Sequence, residues 1–183
     1  MKRTFLITFL LIASTITGYS QQAKSTAIAN KAVVAKILKA FDEGDVNALD
    51  KLIAKDAVSH SEMPPEIKST GVEAVKEMSR MHNAAFPDSK TTVHVMGIAG
   101  DTVLAYFTTT GTNSGPFMGM PATNKTISFE GVDIIRVKNG MAVEHWGVYD
   151  NLKMMQQLGM MPPPPPPSAP APMRPGVAPS KKN

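Results

Sequence analysis

Residues 126–150 read TISFEGVDIIRVKNGMAVEHWGVYD, two runs rich in Ile, Val, Phe and Trp on either side of Asn139-Gly140. Asn-Gly between alternating apolar residues is the strongest short-range mark of a β-hairpin, because both central positions of a type I′ turn need positive φ. With Lys138 and Met141 closing a two-residue turn, counting outward pairs Arg136 with Val143, Ile134 with His145, Asp133 with Trp146, Gly131 with Val148 and Phe129 with Asp150. Side chains alternate between the faces of a strand. One face then carries Phe129, Asp133, Ile135, Glu144, Trp146, Val148 and Asp150, and the other Glu130, Val132, Ile134, Arg136, Val143, His145 and Tyr149. Carboxylates beside a Trp and a Phe fit a pocket wall better than a plain core. A single bulge would swap part of this assignment.

Upstream, period-two patterns over Thr91–Met96 and Thr102–Thr112 predict two further strands, joined by a turn at Gly97–Asp101 and followed by a Gly- and Pro-containing loop from Asn113 to Asn124. Earlier still the period becomes helical. Ile28, Val33, Val34, Ile37, Leu38 and Phe41 recur on one side of a helix from Thr26 to Asp42, which Gly44 ends. Asp45 is placed to cap a short second helix running through Ile53, and a strand enters at about Ala57. A third helix spans Gly71 to Ala85, with Val72, Val75, Met78 and Met81 along one side. Downstream of the hairpin, Leu152 to Leu158 forms a short helix closed by Gly159. Helices first and antiparallel strands afterwards indicate an α+β fold, about three N-terminal helices covering one face of the sheet.

The ends of the chain have another character. Met1-Lys2-Arg3, the uncharged apolar run Thr4–Thr17 and Gly18-Tyr19-Ser20 have the three-part layout of a secretory signal peptide over residues 1–20. The apolar run is short for a permanent span, so cleavage after Ser20 and a periplasmic or secreted product without a membrane span are expected. Residues 21–28 read as a linker and 29–161 as the folded domain. From Pro162 to Asn183 the sequence PPPPPPSAPAPMRPGVAPSKKN offers no core residues and is expected to be a disordered, Pro-rich tail. Lys2, Arg3, Arg174, Lys181 and Lys182 lie in these ends; without them the formal charge of +4 falls to about −1, which argues against nucleic acid as a partner. The chain has no Cys, and its four His show no i, i+4 pair, so neither a disulfide framework nor a metal site is expected.

Phe86-Pro87-Asp88, the loop Gly111-Thr112-Asn113-Ser114-Gly115-Pro116-Phe117 with Gly119 and Pro121, the strand Gly131–Arg136, and Glu144-His145-Trp146 with Asp150 leading into Gln157-Leu158-Gly159 together resemble the SnoaL-like polyketide cyclases. These belong to the superfamily of nuclear transport factor 2 and limonene epoxide hydrolase. The resemblance spans about residues 30–160 and implies a cone-shaped, strongly curved antiparallel sheet, a deep apolar pocket on its concave side and homodimerisation through the convex side. It also implies cofactor-free aldol-type ring closure, with an aspartate in the pocket as general acid/base. Asp150 best fits that aspartate. Epoxide hydrolase relatives need an arginine and an aspartate on the strand matching Thr102–Thr112, which has neither.

The candidate catalytic residues are therefore Asp150 and His60, the latter sharing a strand face with Glu62 and placed to polarise a carbonyl. Trp146, Asp133, Phe129, Glu62, Asn113, Phe117 and Met118 are the candidate contacts for a small, mostly apolar ligand. Asn113 stands where many family members carry a histidine. An Asp before Asn151-Leu152 is equally placed to cap the closing helix. His145 falls on the convex side in this register. The expected function is an exported acid/base enzyme of the cyclase or isomerase type; a non-catalytic carrier or sensor of a hydrophobic molecule is the alternative.

Overall fold

The structure, a computed structural model, describes residues 4–162, with side chains from residue 21 onward. Its elements are α1 (Thr4–Asp42), α2 (Val46–Leu52), β1 (Ile53–Ser59), α3 (Gly71–Ala85), β2 (Lys90–Ala99), β3 (Thr102–Thr112), β4 (Thr126–Lys138), β5 (Met141–Tyr149) and α4 (Asn151–Leu158). The five strands form one sheet in the order β1-β5-β4-β3-β2. Neighbours from β2 to β5 are antiparallel, as hairpin and meander connections require. β1 joins the edge in parallel with β5, which the antiparallel expectation did not include; the long intervening chain frees that pair from hairpin geometry.

Several boundaries moved. α1 begins at Thr4, so residues 21–28, expected as a linker, lie within it. β1 starts at Ile53 instead of Ala57, and β2 runs on to Ala99 because Ile98 pairs with Val103. Beyond Pro162 the tail lies outside the described residues.

Burial along β3 alternates residue by residue, with Val103, Ala105, Phe107 and Thr109 inward. Val103 and Ala105, with Ile135, Val137 and Ala142, pack against Val34, Ile37 and Ala40 of α1, Leu49 of α2 and Val72 of α3. Each fully buried Val, Leu or Ile contributes about 1.5–3 kcal/mol. A second cluster, Ala85, Phe86, Ile127 and Leu158 with Phe117 and Phe129 against it, fastens α4 and the loop after β3 to the other end of the sheet. Asp45 caps α2 by accepting from the Ala48 N–H at 3.0 Å.

The hairpin turn is as the sequence predicts: Asn139 and Gly140 have φ of 50° and 77°, and Lys138 pairs with Met141. Two residues further the register changes. Val137 pairs with Ala142, but Arg136 pairs with Glu144, so Val143 is an extra residue, a β-bulge. Ile135 is then opposite His145, Ile134 opposite Trp146, Asp133 opposite Gly147 and Gly131 opposite Tyr149. His145, Gly147 and Tyr149 therefore share the inner face with Asp133 and Ile135. Glu144, Trp146 and Val148 turn to the outer face with Arg136, Ile134 and Val132. The uniform count is overturned for β5 beyond Val143 because one inserted residue exchanges the faces of everything after it.

Candidate active site

Asp133 is buried, 7% exposed, on the inner face of β4. Its Oδ1 accepts from the Tyr149 hydroxyl at 2.7 Å and lies 3.1 Å from His145 Nε2. The Tyr149 hydroxyl and His145 Nε2 are 3.4 Å apart, so the three groups form a closed triangle. On its far side His145 Nδ1 meets the Ser59 hydroxyl at 3.4 Å. If Nε2 carries the proton toward Asp133, Nδ1 is free to accept from Ser59. Parallel pairing of Ser59 with His145 brings β1 into the site. Ser61, two residues on, accepts from the Gly147 N–H at 2.6 Å through its hydroxyl, holding the edge of the site together.

Glycine positions shape this site. A Cβ on Gly131 would come within 2.7 Å of the Tyr149 ring and 2.9 Å of the Phe107 ring, and one on Gly147 would meet the Tyr149 hydroxyl. The Tyr149 ring thus lies back along β5 over two residues without side chains, which delivers its hydroxyl to Asp133. Burial, and then the Asp133 carboxylate, push ionisation of that hydroxyl well above the ordinary tyrosine range, so it remains a donor. Both contacts to Asp133 use Oδ1. Oδ2 has no hydrogen-bond partner among the described residues.

The family description SnoaL-like polyketide cyclase matches residues 31–158, most of the chain and all of β1 to β5. The chain belongs to the SnoaL-like polyketide cyclase family. Among solved structures, wild-type IdmH from Streptomyces antibioticus, described as a proposed polyketide cyclase, is 33% identical, with 71% of this chain and 98% of that one covered at a TM-score of 0.61. TsrD from Streptomyces laurentii is 25% identical over 73% of this chain and 97% of its own, with a TM-score of 0.66. AclR from Streptomyces galilaeus, described as a proposed hydroxylase, is 27% identical over 74% and 84%, with a TM-score of 0.63. No curated protein matches the chain.

The SnoaL-like chain gathers a different set of residues from the one the hairpin count gave. Asp150 is exposed and caps α4, accepting from the Lys153 N–H at 3.0 Å, and shares no hydrogen bond with the Asp133 triangle among the described residues. Trp146 is on the outer face, where His60 stacks on it at 4.4 Å with ring planes 7° apart. His60 Nε2 is also 3.7 Å from Glu144, which pairs with Arg136. His60 and Trp146 therefore do meet, but on the face opposite Asp133. Glu62 is exposed in the loop after β1. Asn113 is fully buried and saturated: Nδ2 donates to the Gly115 carbonyl at 2.8 Å, and Oδ1 accepts from the Thr123 N–H and hydroxyl at 2.9 and 3.0 Å. It staples the loop after β3, leaving little capacity for a ligand. Phe117 packs edge-on against Phe86 at 5.2 Å, and Met118 is exposed at φ 50° beside it. Asp133 and Phe129 are on the inner face as expected, Phe129 beside the second core cluster.

Sequence reasoning missed His145, Tyr149, Ser59 and Ser61 as site residues. The available signal was the pair of strand glycines, Gly131 and Gly147, since a glycine inside a strand often marks a close approach. Among the described residues no group of three His, Asp or Glu side chains is placed to hold a metal ion, and no helix is long and apolar enough to cross a membrane.

Proposed function

We propose that this family member is an acid/base catalyst of the cyclase or isomerase type, acting without a cofactor on a small, mostly apolar carbonyl compound, with Asp133 as its base. Relatives described as a cyclase and a hydroxylase share the fold, so the reading rests on the site, not on the architecture. One observation carries it: a buried carboxylate whose Oδ1 is held by Tyr149 and His145 while Oδ2 is left unengaged. The two donors fix the carboxylate plane, so that Oδ2 can take a proton from an activated carbon and later return it. Tyr149 stays protonated throughout, for the reason given above. His145 has a third of its side chain exposed.

The test uses β-tetralone, a flat enolisable ketone, and follows deuterium entering its activated methylene by proton NMR. Wild type is expected to accelerate the exchange and Asp133→Asn to lower it by about 10²–10⁴-fold. Saturable binding of β-tetralone with no exchange above buffer would instead make the protein a carrier.

Two further features belong to the same proposal. The leader layout of residues 1–20 supports export, tested by N-terminal sequencing of the mature protein, expected to begin at Gln21. The outer sheet face exposes Val58, Val95, Leu104, Tyr106 and Val148, Val148 at 69%, which supports a homodimer packed through it. Val148→Lys is expected to shift a sedimenting dimer to monomer.

A further inference from the structure

Three element ends meet at the β2 edge of the sheet. Asp42 is the last residue of α1, His82 lies in the last turn of α3, and Ser89 directly precedes β2. The Ser89 hydroxyl is 2.7 Å from His82 Nε2, and the His82 ring is held between Phe41 and Phe86 at centroid distances of 5.4 and 5.5 Å. With the ring proton on Nδ1, Nε2 accepts from the hydroxyl, the arrangement of a nucleophile beside its base. Burial lowers the ionisation of His82, so that nitrogen keeps its lone pair at neutral pH. The Asp42 charge opposes that shift; its oxygens accept from the Thr91 hydroxyl and N–H at 2.8 and 2.6 Å, which fixes a carboxylate near the pair. A negative charge there favours the imidazolium that forms when the histidine takes a proton. Ser89 and Asp42 both line a groove of about 430 Å³ between α1 and β2, a size that suits a small molecule. Leu38, Val93 and Met96 give it apolar walls, and Lys90 lines it as well. None of Asp133, His145 and Tyr149 lines this groove.

We propose that Ser89 and His82 form a second catalytic site, with Ser89 as nucleophile and His82 as general base for the hydrolysis of small carboxylic esters bound in this groove. Asp42 is a positioning residue, acting on His82 through its charge. The proposal is independent of the reading of Asp133. In the first half of the reaction, Ser89 Oγ forms a bond to the carbonyl carbon as its proton passes to His82 Nε2. The bond from that carbon to the alcohol oxygen breaks, and the leaving oxygen takes the proton from His82. Water then attacks the acyl-serine and gives a proton to His82; the bond to Oγ breaks, and Ser89 recovers the proton as the acid leaves. One ester and one water give one acid and one alcohol, and no further reagent enters. The charge on the carbonyl oxygen develops in a groove that carries the Lys90 ammonium. Its aliphatic walls suit a short alkyl acyl group.

The test treats the full chain with diisopropyl fluorophosphate, which marks a serine activated by a neighbouring base, and maps the label by peptide mass spectrometry. Wild type is expected to carry it on Ser89, and His82→Gln to remain unlabelled. Hydrolysis of p-nitrophenyl butyrate, followed by release of p-nitrophenolate, gives the second readout. Wild type is expected to exceed buffer, Ser89→Ala to lose the excess, and His82→Gln to lower kcat by about 10²–10⁴-fold. Asp42→Asn keeps an acceptor for Thr91 but removes the charge; kcat is expected to fall by about tenfold with KM held within about twofold. Labelling of wild type depends on no variant's folding, so a label absent from Ser89 overturns the proposal by itself. Turnover at the wild-type rate in folded Ser89→Ala or His82→Gln overturns it as well. An unchanged kcat in Asp42→Asn overturns the part given to that charge.

Discussion

The two faces of β5 carry clusters built from similar residue types that differ in what their environment allows. Outside, His60, 41% exposed, stacks on Trp146, and Glu144 pairs with Arg136, their side chains 24% and 26% exposed. Inside, His145 and Tyr149 converge on one oxygen of Asp133, whose side chain is 10% exposed. A charge pair in water gains little, whereas a carboxylate shielded from water and held by two donors has a fixed geometry and strong local interactions. Residue type alone does not separate the clusters. The face does, and Val143 sets the face.

The comparison is broken most severely by a further one-residue shift of the strand. Inserting an alanine between Glu144 and His145 would turn Trp146 inward and His145 and Tyr149 outward; a loss of more than about 4 kcal/mol is expected, read by denaturant unfolding. Next is Asp133→Leu, which leaves the Tyr149 hydroxyl and His145 without their shared acceptor; about 2–4 kcal/mol should be lost, and Asp133→Asn should lose much less. Gly147→Ala displaces Tyr149 from its place on the strand, with an expected cost of about 1–3 kcal/mol and reduced β-tetralone exchange.

A third histidine sharpens the contrast. His82, between Phe41 and Phe86 with its Nε2 2.7 Å from the Ser89 hydroxyl, has its ionisation lowered by burial from 6.5, with Asp42 opposing. Because the folded state disfavours the proton, His82 contributes stability above the unfolded value of 6.5 that is lost as pH falls through the lower folded value. Melting temperature should decline between about pH 7 and pH 5, and His82→Gln should flatten that decline. The smallest change is expected outside: His60→Ala removes the stack on Trp146 and the contact with Glu144, for a cost within about 1 kcal/mol.

Much of the architecture could be read from residue order. Asn139-Gly140 marked its turn, the alternation of Thr102–Thr112 its strand, and Gly159 the end of α4, where it adopts φ 76°. Each rests on local chemistry. What failed was non-local. Val143 is an ordinary strand residue with no local mark of a bulge, and counting from the turn carried a one-residue error along β5 to Asp150. The parallel docking of β1, which brings Ser59 and Ser61 to the site, depends on the whole sheet and left no trace in the order of residues. Asn113 and Asp150 both hold backbone groups, for a shared reason. Short polar side chains at loop and helix ends serve the backbone well, and both do so here.

The central claim is that the working carboxylate belongs to Asp133, inside the sheet, and that Asp150 only caps a helix. Deuterium entry into β-tetralone, measured side by side for Asp133→Asn and Asp150→Asn, tests it most directly. The account predicts exchange lowered by about 10²–10⁴-fold in the first and unchanged in the second. Loss of exchange in Asp150→Asn, with Asp133→Asn as active as wild type, would contradict it.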